Sequence, residues 1–227
     1  MTNIIMYENI ILIPYRNREE HLNYFIKNAC PLIKTHMEKT KIVVIEQEEG
    51  KLFNRGKLLN VGFKEFYNQT KYFITHDVDI IPKKEALHIY NNENSDIIRI
   101  FNSHEYSLGA ITKISNDSIN KMNGFPNHIW GWGIEDRALF YRANILNISM
   151  NDMYNHKEEF TFLEHKSNVH TYSGEKKSIS ELENKIFNDA SYEEQLSHIM
   201  ESGLNNLEYQ ILDKTVFEDY EFIKVSI

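Results

Sequence analysis

Two hydrophobic periods alternate along the first hundred residues. Residues 9–15 (NIILIPY) form a short apolar run containing a proline near its end, the pattern of a buried strand. A helical pattern follows over residues 18–33, with Asn17 placed as its N-cap and Glu20 three positions on, close to a capping box. Residues 41–46 (KIVVIE) read as a second strand. Residues 54–67 carry Leu58, Leu59, Val61, Phe63 and Phe66 as a helical stripe. Residues 72–75 (YFIT) read as a third strand, with His76-Asp77-Val78-Asp79 directly after it. The order β-α-β-α-β predicts an α/β fold with a mainly parallel sheet and helices on its faces. Ligands in such sheets gather beyond the carboxyl ends of the strands, so Arg16, Arg18, Asp77 and Asp79 are expected on one rim.

The second half is less regular. Residues 109–115 alternate like a strand, 117–122 like a short helix, and 135–143 form a helical stretch after the Gly-, Pro- and Trp-rich GFPNHIWGWGIED. Residues 164–178 are polar and read as a mobile loop, and 209–212 have strand character. No repeat or linker divides the chain, so residues 1–227 are read as one domain.

Composition narrows the field. Of 227 residues, 41% are hydrophobic, enough for a sizeable core. The formal net charge is −8, which argues against bare nucleic acid as a partner while leaving room for a local basic pocket around a small phosphate ligand. The one cysteine, Cys30, can make neither an internal disulfide nor a zinc-thiolate cage, and it suits a reducing compartment. The apolar runs near the N-terminus are broken by Asn3, Glu8 and Asn9, too short for a membrane span or a signal peptide. We therefore expect a soluble, cytoplasmic protein with no membrane span, able at most to associate with a membrane peripherally.

Four constellations carry candidate chemistry. Alternate residues of an extended segment point to opposite sides, so Asp77 and Asp79 can do different work. One would ligate a hard divalent cation while the other holds a ribose hydroxyl or orients a neighbour. The same residues would serve equally as an acidic turn with Asp79 as a cap. Arg16 and Arg18 flank a strand-to-helix turn that could pair with a diphosphate, or they could be solvated and paired with Glu19 or Glu20. Trp130 and Trp132, set among glycines before Glu135 and Asp136, suit stacking on a sugar with a carboxylate beside it to take a hydroxyl proton. Alternatively the tryptophans anchor a loop and the two acids complement a helix dipole. His165, with His170 nearby, is a candidate ligand for Mn²⁺, although isolated loop histidines seldom are.

Together these pieces resemble the β-1,4-galactosyltransferase family. The matches are colinear: Ile13-Pro14-Tyr15-Arg16-Asn17-Arg18; then Phe53 through Phe63 (FNRGKLLNVGF); Asp77-Val78-Asp79; Asn123-Gly124-Phe125-Pro126-Asn127 through Trp130-Gly131-Trp132-Gly133 and Glu135-Asp136; and Gly203 through Gln210 (GLNNLEYQ). The resemblance implies a GT-A type fold and an inverting, Mn²⁺-dependent transferase, with Mg²⁺ as a substitute. It would move galactose from UDP-galactose to a sugar hydroxyl, in β-1,4 linkage. By position, Arg16, Arg18, Phe53, Arg55, Asp77 and Trp132 would face the donor. Asp79 and His165 would hold the metal. Trp132, Gly133, Glu135 and Asp136 would bind the acceptor, with Asp136 as general base and Glu135 beside it in the catalytic pair. His165 would stand at the hinge of a loop that closes over the donor and excludes water.

The chain also departs from the family pattern. Phe162 occupies the place of a metal-binding Met, Ile134 that of a glycine, and Arg137 that of an acid. Ser107 aligns with the residue that shapes the donor pocket, with Tyr106 one place away, and a small residue there is compatible with a bulkier donor. The alternatives are a GT-A transferase using UDP-GalNAc, UDP-GlcNAc or UDP-glucuronate, and a non-catalytic glycan-binding relic. Animal members carry an N-terminal membrane anchor, and this chain is expected to begin at its catalytic domain.

Overall fold

In the computed structural model, residues 6–102, 104–131, 133–153, 156–164 and 174–227 are described. The three apolar runs of the first half become neighbouring strands: β1 (Tyr7–Tyr15), β2 (Thr40–Gln47) and β3 (Thr70–His76), with β1 between the other two and parallel to both. Between them run α1 (Glu19–Asn28), α2 (Cys30–His36) and α3 (Arg55–Phe66).

The strands are buried on both faces because successive side chains serve opposite layers. Ile11, Ile13, Ile42, Val44 and Ile74 pack towards Leu22, Phe25 and Ile33 of α1 and α2. Ile10, Leu12, Val43, Ile45 and Phe73 pack towards Leu58, Val61, Phe63 and Phe66 of α3. Burying each such side chain contributes roughly 1.5–3 kcal/mol. Helix α3 lies directly on the sheet at Gly62, where a Cβ would stand 2.6 Å from Leu12 Cδ1.

After β3 come β4 (Ile80–Pro82), α4 (Leu87–Tyr90), β5 (Ile97–Phe101), β6 (Ile111–Ser115), α5 (Asn116–Lys121), α6 (Glu135–Ile145), β7 (Met150–Asp152) and β8 (Phe160–Phe162). The chain then forms α7 (Gly174–Asp189), α8 (Tyr192–Glu201), β9 (Gln210–Val216) and β10 (Glu221–Ser226). The large sheet has the order β7-β5-β6-β3-β1-β2-β10-β9. Four of its seven pairings are parallel, and those of β6 with β3, β6 with β5, and β10 with β9 are antiparallel. Among the described residues, no helix is long and apolar enough to cross a membrane.

Three local expectations change. Asn17 does not cap α1: it takes a left-handed conformation (φ 51°), which asparagine tolerates, and its side chain donates to Glu49 at 2.8 Å. Arg18 takes the cap position without a side-chain bond to the helix backbone. The single helix expected to Ile33 is two, because Pro31 in the first turn of α2 lacks the N–H that a continuous helix would use. Of the polar stretch 164–178, residues 165–173 lie outside the described residues, but 174–178 form the first turns of α7 rather than a loop.

Candidate active site

The carboxyl ends of β1 and β3 open beside the N-termini of α3 and α6. The N-terminus of α3 is set by Asn54, whose side chain accepts from Lys57 N at 2.8 Å, with Asn54 N bound to Gln47 at 2.8 Å. That places Phe53 and Arg55 on the rim. The cleft between these ends has a volume of about 820 Å³, within the usual range for small-molecule sites. Arg16, Arg18, Phe53, Arg55, Asp77, Asp79, Gly133, Glu135 and Asp136 all line it. Trp132 and His165, the other two residues singled out from sequence, lie outside the described residues, as does His170.

On one side of the cleft the acids are paired with arginines. Arg55 meets Asp77 at 2.9 Å through Nε and 2.8 Å through Nη2. Burial disfavours the Arg55 charge, but Asp77, Glu135 and Asp136 outweigh it and hold its pKa above the ordinary value. Arg18 reaches Asp79 at 3.4 Å. Arg16 donates to Lys51 O at 2.7 Å and lies 5.4 Å over the Phe53 ring, which fixes its guanidinium at the mouth of the cleft. His76, the first residue of the His-Asp-Val-Asp run, turns away into the core. It sits between Asp77 O and the Tyr90 hydroxyl, and burial pushes its pKa down to about 4, so it is a neutral structural ring.

On the other side, α6 begins with two adjacent acids. Glu135 is 6% exposed, and its Oε2 has no hydrogen-bond partner among the described residues. Burial, followed by the Asp136 charge, raises its pKa to about 7 against the pull of Arg55 and Lys176. Asp136 accepts from its neighbour Arg137 N through Oδ1 and from the Ser107 hydroxyl through Oδ2, both at 2.8 Å. Ile134, standing where the family pattern has glycine, holds φ at 83° to bring the chain into α6. That is a strained conformation for a β-branched residue, costing of order 1–3 kcal/mol.

Sequence reading missed Lys176. It lies in the first turn of α7, is 4% exposed, and donates to Gly133 O at 3.3 Å. Burial lowers its pKa, opposed by Glu135 and Asp136, so it belongs electrostatically to the acid pair. No motif flags it, because it stands in a stretch that is polar throughout. Trp130 packs against the core with Lys51 and Lys57 over its ring, which is the anchoring role.

The metal side can be tested on the residues present. Asp79 supplies a hard carboxylate at the rim, of the kind Mn²⁺ and Mg²⁺ favour. Phe162, opposite Ile80 in the β4–β8 pair, supplies no ligand. Among the described residues no three His, Cys, Asp or Glu side chains gather into a closed metal cage. Asp79 therefore fits as one hard ligand, and His165, the other candidate, lies outside the described residues.

A family model described as the N-terminal region of glycosyl transferase group 7 matches residues 4–92. A second, described as the N-terminal domain of galactosyltransferase, matches residues 95–166. Human β-1,4-galactosyltransferase 4 is 39% identical over 145 residues, covering 60% of this chain and 42% of the relative. Human β-1,4-galactosyltransferase 1 is 31% identical over 227 residues, covering 96% of this chain and 54% of the relative. The chain thus spans about half the length of the curated relatives it matches. Among solved structures, a mutant β-1,4-galactosyltransferase 7 from Drosophila, in complex with manganese, UDP-Gal and xylobiose, superposes with a TM-score of 0.79. Its sequence identity is 21%, with 97% of this chain and 94% of that chain covered. The fold is therefore of the GT-A galactosyltransferase type.

Proposed function

The chain belongs to the group 7 glycosyltransferase family of the β-1,4-galactosyltransferases, and from that premise we propose that it transfers galactose from UDP-galactose to a sugar hydroxyl, with inversion and in β-1,4 linkage. The observation that carries this reading is the single cleft in which paired arginines and aspartates at the strand ends face the Glu135–Asp136 pair at the start of α6. Arg16 and Arg18 supply positive charge for a diphosphate, and guanidinium groups suit phosphate oxygens. Arg55 keeps Asp77 oriented towards the nucleotide.

The acceptor hydroxyl attacks the anomeric carbon from the face opposite the diphosphate. The new C–O bond forms as the bond to the β-phosphate oxygen breaks, and that electron pair leaves with UDP. Asp136 takes the hydroxyl proton. Glu135, near neutrality in its proton affinity, stands beside it to bind the acceptor. Asp79, together with His165, would hold Mn²⁺, which when bound supplies charge that stabilises the leaving diphosphate. Metal- and acceptor-dependent release of UDP, with the disaccharide identified by mass spectrometry, tests the proposal. UDP release that needs neither metal nor acceptor would overturn it.

One observation favours UDP-GalNAc as a second donor. Ser107 is small and turned onto Asp136, while Tyr106 is 58% exposed and packs edge-on to Phe140. Comparable kcat/KM for the two donors is expected, and a strong preference for UDP-galactose removes this reading. Cytoplasmic residence is also part of the proposal. It is supported by the lone Cys30, a buried free thiol suited to a reducing compartment, and fractionation of the source cells checks it.

A further inference from the structure

We propose that Ser107 is a positioning residue for the proton-transfer step: its hydroxyl holds the Asp136 carboxylate in the orientation from which it accepts the acceptor proton. This rests on the reading of Asp136 as general base.

The segment around residues 107–109 forms a socket for Asp136. Ser107 Oγ donates to Asp136 Oδ2 at 2.8 Å, and Leu108 N donates to the Asp136 carbonyl at 3.0 Å. At Gly109 a Cβ would stand 2.5 Å from Asp136 Oδ2, so the carboxylate occupies the space that any other side chain would need. The direction of the Ser107 proton is also determined. Gly109 N donates to Ser107 Oγ at 3.1 Å, which uses an acceptor position and turns the O–H outward. Two oxygens then compete for that proton, Asp136 Oδ2 at 2.8 Å and Asn102 Oδ1 at 3.3 Å. The nearer one belongs to a carboxylate and makes the stronger bond.

Asn102 holds the serine from behind. Its Nδ2 donates to Ser107 O, and its Oδ1 also receives His104 N at 3.3 Å. Ser107 and Asn102 are 3% and 4% exposed, so solvent does not replace these bonds. Asp136 is thereby tied at both oxygens, Oδ1 by Arg137 N and Oδ2 by Ser107. Each oxygen keeps a second lone pair, and the acceptor proton goes to one of these as the oxygen it leaves attacks the anomeric carbon. Ser107 keeps its own proton throughout and only fixes the carboxylate plane, so its contribution falls on turnover rather than on donor affinity.

The test uses the full chain with UDP-galactose, Mn²⁺ and a saccharide acceptor. Ser107→Ala is expected to lower kcat by about ten-fold or more, the scale of a buried hydrogen bond to a charged group, while KM for UDP-galactose stays within about two-fold. Ser107→Thr, which keeps the hydroxyl, is expected to recover most of the lost turnover. In an Asp136→Asn background, Ser107→Ala should leave the residual rate unchanged, because the partner it orients is no longer a base. Thermal unfolding and UDP binding by calorimetry confirm that each variant is folded. Unchanged kcat in Ser107→Ala would overturn the proposal, as would an equal loss in the Asp136→Asn background or a rise in KM at constant kcat. Full activity of Asp136→Asn by itself would instead overturn the base assignment beneath it, a result read before any Ser107 variant is made.

Discussion

The cleft holds two acidic pairs, and they are built in opposite ways. Asp77 and Asp79 stand on the loop after β3, one residue apart, each with an arginine: Arg55 at 2.9 Å and Arg18 at 3.4 Å. Glu135 and Asp136 stand side by side in the first turn of a helix, where Glu135 is buried and pushed to about 7. The first pair lies against neighbouring cations and suits binding of charged groups. The second contains a carboxyl that burial raises to about 7, beside the carboxylate proposed to take the acceptor proton. Carboxylates of similar intrinsic acidity acquire different work from desolvation on one side and opposite charge on the other.

The sharpest way to break the contrast is Asp136→Asn. It preserves shape and removes the carboxylate proposed as base, and transfer should fall by about 10² to 10⁴ while UDP–Mn²⁺ binding persists. Near-normal turnover would show that the second pair does no proton work. Asp79→Ala acts on the first pair. The Mn²⁺ concentration for half-maximal activity should rise by at least about ten-fold, because charge and a coordinating oxygen are lost together. An unchanged metal requirement would remove Asp79 from the binding side.

Glu135→Gln sharpens the comparison through stability. The folded pKa of about 7 lies above the ordinary 4.5. Between those values the folded state keeps a proton that the unfolded chain has lost. Stability linked to Glu135 is thus highest below about pH 4.5, falls as pH rises to about 7, and is flat beyond. The glutamine variant lacks this decline. Its advantage in unfolding free energy should grow across that window by on the order of 3 kcal/mol. An advantage that does not vary with pH would mean that burial does not control this carboxyl.

The smallest effect is expected from Ile134→Gly at the entry to α6. Glycine relieves strain of order 1–3 kcal/mol at φ 83°. It also forfeits roughly 1.5–3 kcal/mol of burial against Ile129, Ala138 and Ile179. Net stability should move by less than about 2 kcal/mol in chemical denaturation. A larger loss would show that the isoleucine is held there by packing with little strain.

Much of the first half of the fold could be read from the chain. The strands at 9–15, 41–46 and 72–75 and the helix at 54–67 appear within a few residues of where they were expected, because each is an apolar run or stripe set by its own side chains. Of the residues singled out for chemistry, those that the structure describes line one cleft, and Arg16, Arg18, Asp77 and Asp79 do so because strand ends of a parallel sheet share a rim. Helix α7 could not be read this way. Its inward positions include Lys176, Ser180 and Glu183, polar residues that bond to Gly133, Arg137 and His198 respectively. Apolar Ile179 and Phe187 share that face, but the polar residues between them break the stripe. Strands β5 and β10 also went unmarked, although Ile97–Phe101 is buried throughout.

The sequence by itself determined where apolar runs lie, how they alternate, and which charged residues follow them. Those are properties of neighbours in the chain. The tertiary structure decided that Asn17 would turn towards Glu49 instead of capping a helix, and that Trp130 would anchor its loop. It also decided that Ser107 would face Asp136 and that Glu135 would hold its proton to about 7. Each of these depends on which distant groups exclude water or bring charge within a few ångströms. Desolvation and Coulomb interactions act through space, and no local pattern of residues encodes them.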